Sequence, residues 1–151
     1  MKIEGSFTLR ASLPIVWDYL LNIEEMSQCI PGVKVLETVD ATNYRGMLQV
    51  TIGPIKAKFG GTVTLLEIEP PRRLVAAFEA DDKGNASKVK ASFISVLNPI
   101  AEGTEVTYIM DVNMRGRLAQ FGQAVVKGTA KKMVDVFRGC VQKKLSAREG
   151  E

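Results

Sequence analysis

The period of the apolar positions divides the chain: a two-residue alternation dominates up to Arg115, and steps of three and four take over from Leu118 onward. Lys2 to Leu9 alternates, with Ile3, Phe7 and Leu9 on one face, and predicts a first strand. A short helix follows, with Ser12 as its cap, Pro14 in its first turn and Val16, Trp17, Leu20 and Leu21 at helical spacing. Glu24 to Gln28 adds a second short helical turn. It stops at Cys29-Ile30-Pro31-Gly32, where proline lacks a donor and glycine permits a sharp turn.

From Val33 to Arg115 the pattern predicts six strands separated by Asp40-Ala41-Thr42-Asn43, Gly53-Pro54, Pro70-Pro71, Asp82-Lys83-Gly84-Asn85 and the stretch from Asn98-Pro99 to Gly103. Connections this short make antiparallel hairpins and leave no room for crossovers. Leu48, Val50, Ile52, Phe59, Val63, Leu65, Leu74, Ala76, Phe78, Val89, Ala91, Phe93, Val106, Tyr108, Met110, Val112 and Met114 fall on one face. Lys58, Thr62, Thr64, Lys88, Lys90, Ser92, Thr107 and Asp111 fall on the other, so one face is covered and the other is wet. Leu66, Ile68, Val75, Ile94 and Val96 break the alternation, at bulges or on an exposed apolar patch.

From Leu118 to about Leu145, Leu118, Phe121, Val125, Met133, Val136, Phe137 and Cys140 recur at helical steps, with Thr129 filling one beat. Such a helix is roughly 40 Å long, against a radius of gyration of about 15 Å for a domain of this size, so it must cross the molecule. The fold class is α+β: a curved seven-stranded antiparallel sheet, two short helices after the first strand, and a long C-terminal helix lying along the sheet as one domain over residues 1–151. A sheet with one helix along its concavity is a container.

Composition narrows the chemistry. The chain has no histidine, which removes the usual general base near neutral pH and the commonest metal ligand. No close acid pair lies in an apolar stretch, and Asp111 alternates onto the wet face, so the expectation is a protein that is not an enzyme. Cys29 and Cys140 lack CxxC spacing and read as reduced core thiols, with no metal site. There is neither a run of eighteen apolar residues nor a signal-peptide core, and the expected compartment is the cytoplasm.

The net charge of +3 is unevenly spread: from Arg115 onward nine Lys/Arg face three Asp/Glu, while the first 114 residues hold eleven against fourteen. Lys127, Lys131 and Arg138 are expected to form an outward basic stripe, either a solvated helix back or a surface for peripheral membrane or acidic-partner contact. No aromatics interleave with these charges, which argues against nucleic acid.

Four stretches together resemble the CoxG family, named for the G-type subunit of carbon monoxide dehydrogenase, within the START-like, Bet v 1-like helix-grip (SRPBCC) superfamily. They are Cys29-Ile30-Pro31-Gly32-Val33, Val50-Thr51-Ile52-Gly53-Pro54-Ile55 leading to Phe59, Gly103-Thr104 with Tyr108, and Gly116-Arg117-Leu118-Ala119-Gln120-Phe121-Gly122. The resemblance covers nearly the whole chain and implies an apolar cavity between sheet and helix. It also implies an accessory role beside a molybdenum hydroxylase of the carbon monoxide dehydrogenase type, at or near membrane quinones. The chain ends at Glu151 without the tail and apolar anchor of longer members, which would leave the basic helix back as its surface attraction at the inner face of the membrane.

By themselves the residues read as a filled core. With the resemblance, Phe59, Phe78, Phe93, Tyr108, Phe121 and Phe137, with Met110, Met114, Met133 and Val125, become the lining of a pocket whose methionines adapt to a flexible apolar guest. Tyr108 offers a hydroxyl to a carbonyl oxygen. Trp17, Met26 and Ile30 fall where a lid over the mouth would sit, or in ordinary packing. Gly122 is expected within the helix near its apolar stripe, serving close packing or ligand room; Gly128 and Gly139 fall on its flank. The leading expectation is a carrier of a quinone or other lipid with no covalent cofactor. A recruitment or assembly factor acting through its outer surface comes second, and a small cyclase- or hydratase-type enzyme a distant third.

Overall fold

A computed structural model describes residues 1–149. The chain's end at Glu151 lies outside the described residues. Strand β1 (Lys2–Leu9) leads into helix α1 (Leu13–Leu21), helix α2 (Ile23–Met26) and a 3-10 turn at Ser27–Cys29. Strands β2 (Val33–Thr38), β3 (Asn43–Ile52), β4 (Ile55–Glu69), β5 (Arg73–Asp82), β6 (Ser87–Ile100) and β7 (Gly103–Gly116) follow, then a 3-10 turn at Arg117–Phe121 and helix α3 (Gln123–Glu149). The sheet has seven strands in the order β1-β7-β6-β5-β4-β3-β2, every neighbour antiparallel. This is the open, curved α+β arrangement expected from the alternation and the short turns.

Two of the turns are closed by aspartate. Asp40 accepts the backbone N–H of Thr42 at 3.0 Å and of Asn43 at 2.9 Å. Asp82 accepts the Asn85 side-chain amide at 2.7 Å and the Lys58 N–H at 2.9 Å. Burial alone would push the Asp82 carboxyl up, but these donors outweigh it and hold the pKa below the usual carboxylate value. Ser12 occupies the N-cap position of α1 in an extended conformation, yet its side chain makes no capping bond. Pro99 lies inside β6, paired with Thr104, so the last hairpin turn is tighter than expected.

Among the residues outside the alternation, Leu66 sits at a register shift between Leu65 and Glu67 and is 57% exposed. Val75, Ile94 and Ile109 line up across β5, β6 and β7 as a half-buried apolar row on the outer face.

The long helix starts later than its apolar steps suggest. Leu118 and Phe121 belong to the 3-10 turn, and the chain breaks at Gly122, whose φ of +83° is a left-handed conformation that L side chains avoid. Gly122 is therefore a connector, not a helix-interior residue. Leu118 and Phe121 keep helical spacing because a 3-10 turn also places residues three apart on one side. Leu118 is fully buried, and its N–H donates to the Ser87 hydroxyl at 2.9 Å.

Within α3 the buried stripe runs through Val126, Ala130, Val134, Phe137, Val141 and Leu145, whereas Val136, expected on it, is 55% exposed. Starting the count at Leu118 shifts the helical phase by the residues of the turn. Gly128 and Gly139 lie on the outward side, with nothing within 4 Å of a Cβ placed on either. Gly128→Ala and Gly139→Ala are therefore expected to raise stability by about 1 kcal/mol each in denaturant unfolding, since alanine gains helix propensity and meets no obstacle. A loss of stability would show that the helix needs glycine there.

Candidate functional site

The core is not continuous along α3. One cluster, at the C-terminal end of the helix, joins Leu9, Val16, Trp17, Tyr19, Ile23, Cys29, Val106, Val141 and Leu145. A second, at the N-terminal end, joins Ile52, Ala57, Phe59, Ala80, Val89 and Leu118. The main approaches of the α3 backbone to the rest of the fold are to β1, β3 and the two 3-10 turns. The helix thus rests on its two ends. Under its midspan, Phe93, Met110 and Met133 are half-buried and belong to neither cluster.

These contacts sort the expected site residues. Phe59 is buried in the N-terminal cluster, and Phe78, Met114, Phe121 and Val125 pack against it. Trp17 is buried in the C-terminal cluster, with Met26 and Phe137 packed on it. Ile30 is half-buried just beyond the turn at Cys29, and Gly122 is exposed on its connector. Phe93, Tyr108, Met110 and Met133 remain as the group between the two clusters.

Tyr108 is the polar member of that group. It is 7% exposed, its ring packs against Phe7 with centroids 6.2 Å apart, and its hydroxyl lies over Gly5, where a Cβ would be 2.6 Å from the oxygen. Gly5 faces Tyr108 across the β1–β7 pair, and Ser95, 3% exposed, faces it across β6–β7. Burial, and secondarily Asp135 on α3, push the Tyr108 phenol above its ordinary pKa, so it stays protonated and able to donate. Sequence reasoning alone does not pick out Gly5, Ser95 or Asp135. The signal it offers is Gly5 itself, since glycine inside a strand marks a close approach.

The C-terminal end of the container is riveted. Cys29 and Cys140 form a disulfide, Cα–Cα 5.4 Å, which overturns the expectation of two reduced thiols. Sequence spacing could not show this pairing, because the helix brings its far end back to the turn after α2. Lys144 donates to Gln28 at 2.8 Å, Arg148 pairs with Glu25 and lies 5.4 Å from the Tyr19 ring centroid, and Gln142 accepts the Arg10 N–H at 2.7 Å. The Tyr19 hydroxyl lies 3.4 Å from the Cys29 sulfur.

The expected basic stripe is interrupted. Lys131 and Arg138 are exposed and Lys127 half-buried, but Asp135 lies on the same side at helical spacing. Two open concavities lie elsewhere. One of about 840 Å³ is on the outer face around Gly60, and one of about 360 Å³ involves Met1, Glu79, Lys90 and Asp111. Neither is under α3, where the half-buried side chains themselves mark the space between the clusters.

A seven-stranded antiparallel sheet gripping one long helix at its two ends defines a START-like, Bet v 1-like helix-grip protein. The chain belongs to the CoxG family, that of the G-type subunit of carbon monoxide dehydrogenase, whose model matches residues 5–146. It is similar to a conserved protein from Geobacillus kaustophilus, at 28% identity and TM-score 0.90 over 97% of this chain and 96% of that one. Protein Ms6760 from Mycobacterium smegmatis (12% identity, TM-score 0.71, 97% and 92% covered) shares the fold. So does Ara h 8.0201 (13% identity, TM-score 0.64, 95% and 98% covered). Among curated proteins the chain has no match. Family and fold are those of a ligand-binding accessory protein, consistent with a role without catalysis. No helix among the described residues is long and apolar enough to cross a membrane.

Proposed function

We propose that this protein is a noncatalytic carrier that holds a lipophilic molecule, a quinone, beneath the midspan of α3 and serves a molybdenum hydroxylase of the carbon monoxide dehydrogenase type. The observation that carries this reading is the split core: Phe93, Met110 and Met133 face the container yet remain half-buried between two closed clusters. Apolar area left uncovered inside a fold gains about 25 cal/mol per Å² when a guest covers it. Tyr108 sits at the same level as a neutral donor, and a quinone carbonyl is the acceptor it would orient. Membership of the family is the sole support for the enzyme partner.

Native mass spectrometry of protein purified from a quinone-producing host, followed by organic extraction, tests the proposal. A quinone near one equivalent is the expected result. Protein that is empty and takes up neither added quinone nor lipid would end the carrier reading in favour of a factor acting through its outer surface. An acyl lipid in place of the quinone would keep the carrier and change its guest.

A further inference from the structure

The outer face of an antiparallel sheet ordinarily presents standing side chains, yet here it holds a trough of about 840 Å³ lined by Arg45, Met47, Lys56, Lys58, Gly60 and Lys83. The cross-strand row Met47–Gly60–Asp81 explains its depth. Gly60 contributes no side chain between its neighbours, and nothing lies within 4 Å of a Cβ placed there. Its neighbour Gly61 is different, because a Cβ there would come within 2.0 Å of the Glu79 carbonyl oxygen. Packing therefore accounts for Gly61 and leaves Gly60 unexplained. A strand glycine that nothing inside the protein requires marks a place where something from outside approaches the backbone.

The charge around the notch is one-sided. Arg45, Lys56, Lys58 and Lys83 face the exposed Asp81, and none of these four cations joins an ion pair among the described residues. Asp82 does not offset them, since its carboxylate is committed to Asn85 and the Lys58 N–H. Lys88 and Arg115 continue the row beyond Asp81. Met47, 49% exposed, pairs across the strands with Val35, 47% exposed, and together they form an apolar lip.

We propose that this trough is a docking site for an acidic segment of a partner protein, with two or more carboxylates on Arg45, Lys56, Lys58 and Lys83 and one apolar side chain seated at Gly60 against Met47. A recessed notch with an apolar lip fits a narrow chain. A flat bilayer surface would meet only its rim. The site is on the opposite face of the sheet from α3, so it does not depend on the carrier reading.

The test uses a fluorescein-labelled acidic peptide, Glu-Glu-Leu-Asp-Glu, followed by anisotropy at low salt, with vesicles containing anionic phospholipid as a parallel probe. Lys56→Glu with Lys58→Glu should weaken peptide binding by about tenfold or more, because each reversal replaces attraction with repulsion. Gly60→Leu fills the notch without changing charge and is expected to weaken it about fivefold while leaving vesicle binding unchanged. The Gly60 position is open, and an unchanged thermal midpoint would show that the variant folds. Peptide binding indifferent to Gly60→Leu would reduce the site to diffuse charge and overturn the proposal. So would absence of peptide binding, or vesicle binding that alone responds to the variants.

Discussion

Reduction of the Cys29–Cys140 bond with a dithiol is expected to lower the thermal midpoint by roughly 10–20 °C. The bond joins residues 111 apart in sequence, so it removes a large share of the freedom of the unfolded chain. A loop of about 100 residues closed in this way is worth roughly 4.7 kcal/mol in the chain-entropy account, and a domain of this length changes its midpoint by about 2–4 °C per kcal/mol. The polar rivets beside it cannot substitute, because the Arg148–Glu25 pair is partly exposed and such pairs are worth at most about 1 kcal/mol. The loss should be local before it is global. Amides of α1, α2 and the last turns of α3 should exchange faster on reduction, while those around Leu118 keep their protection, since that cluster is sealed by apolar contact alone. A Cys29→Ser, Cys140→Ser double variant should start from the lower midpoint and ignore the dithiol. A wild-type midpoint that moves by less than about 3 °C would mean that the two sulfurs contribute no cross-link in solution.

The strands are legible in the sequence because each obeys one local rule. Alternation puts Val106, Tyr108 and Met110 on one side whatever the neighbours do, and Gly53-Pro54 or Asp82-Lys83-Gly84-Asn85 can only be turns. The helix is legible in kind but not in phase. Leu118 and Phe121 fit a helical repeat as well as a 3-10 turn, and only the positive φ at Gly116 and Gly122 separates the two elements. What sequence could not show depends on distance through space. Cys29 meets Cys140 because α3 spans the molecule, and Ser95 meets Tyr108 because β6 and β7 pair in one register of several that alternation permits. The division of the apolar face into two closed ends and an open midspan is likewise invisible in periodicity. Phe59 and Phe93 have the same residue type and the same facing, yet one is 4% exposed in a cluster and the other belongs to none.

That division yields the sharpest test of the carrier. Met133→Trp is expected to cut lipophile uptake by at least about tenfold while costing about 1 kcal/mol or less of stability, because the indole would occupy the space the guest needs. Were the midspan a filled core, the same substitution would overpack it and cost about 1–3 kcal/mol. Met110→Ala on the opposite wall reads the same space from the other direction. In a close-packed interior it should cost about 2–5 kcal/mol, whereas a methionine that already borders open space loses few contacts and should cost about 1 kcal/mol. Both side chains are half-buried, and neither belongs to a core cluster, so the small costs are expected. Uptake is measured by titrating a short-chain quinone against the fluorescence of Trp17, which sits in the C-terminal cluster, and confirmed by native mass spectrometry, because Met133→Trp adds a second indole. Large stability losses in both variants with uptake unchanged would show that the midspan is core and that any guest binds elsewhere. Lost uptake in Met133→Trp with near-wild-type stability in both would place the guest between Phe93, Met110 and Met133, within reach of the Tyr108 hydroxyl.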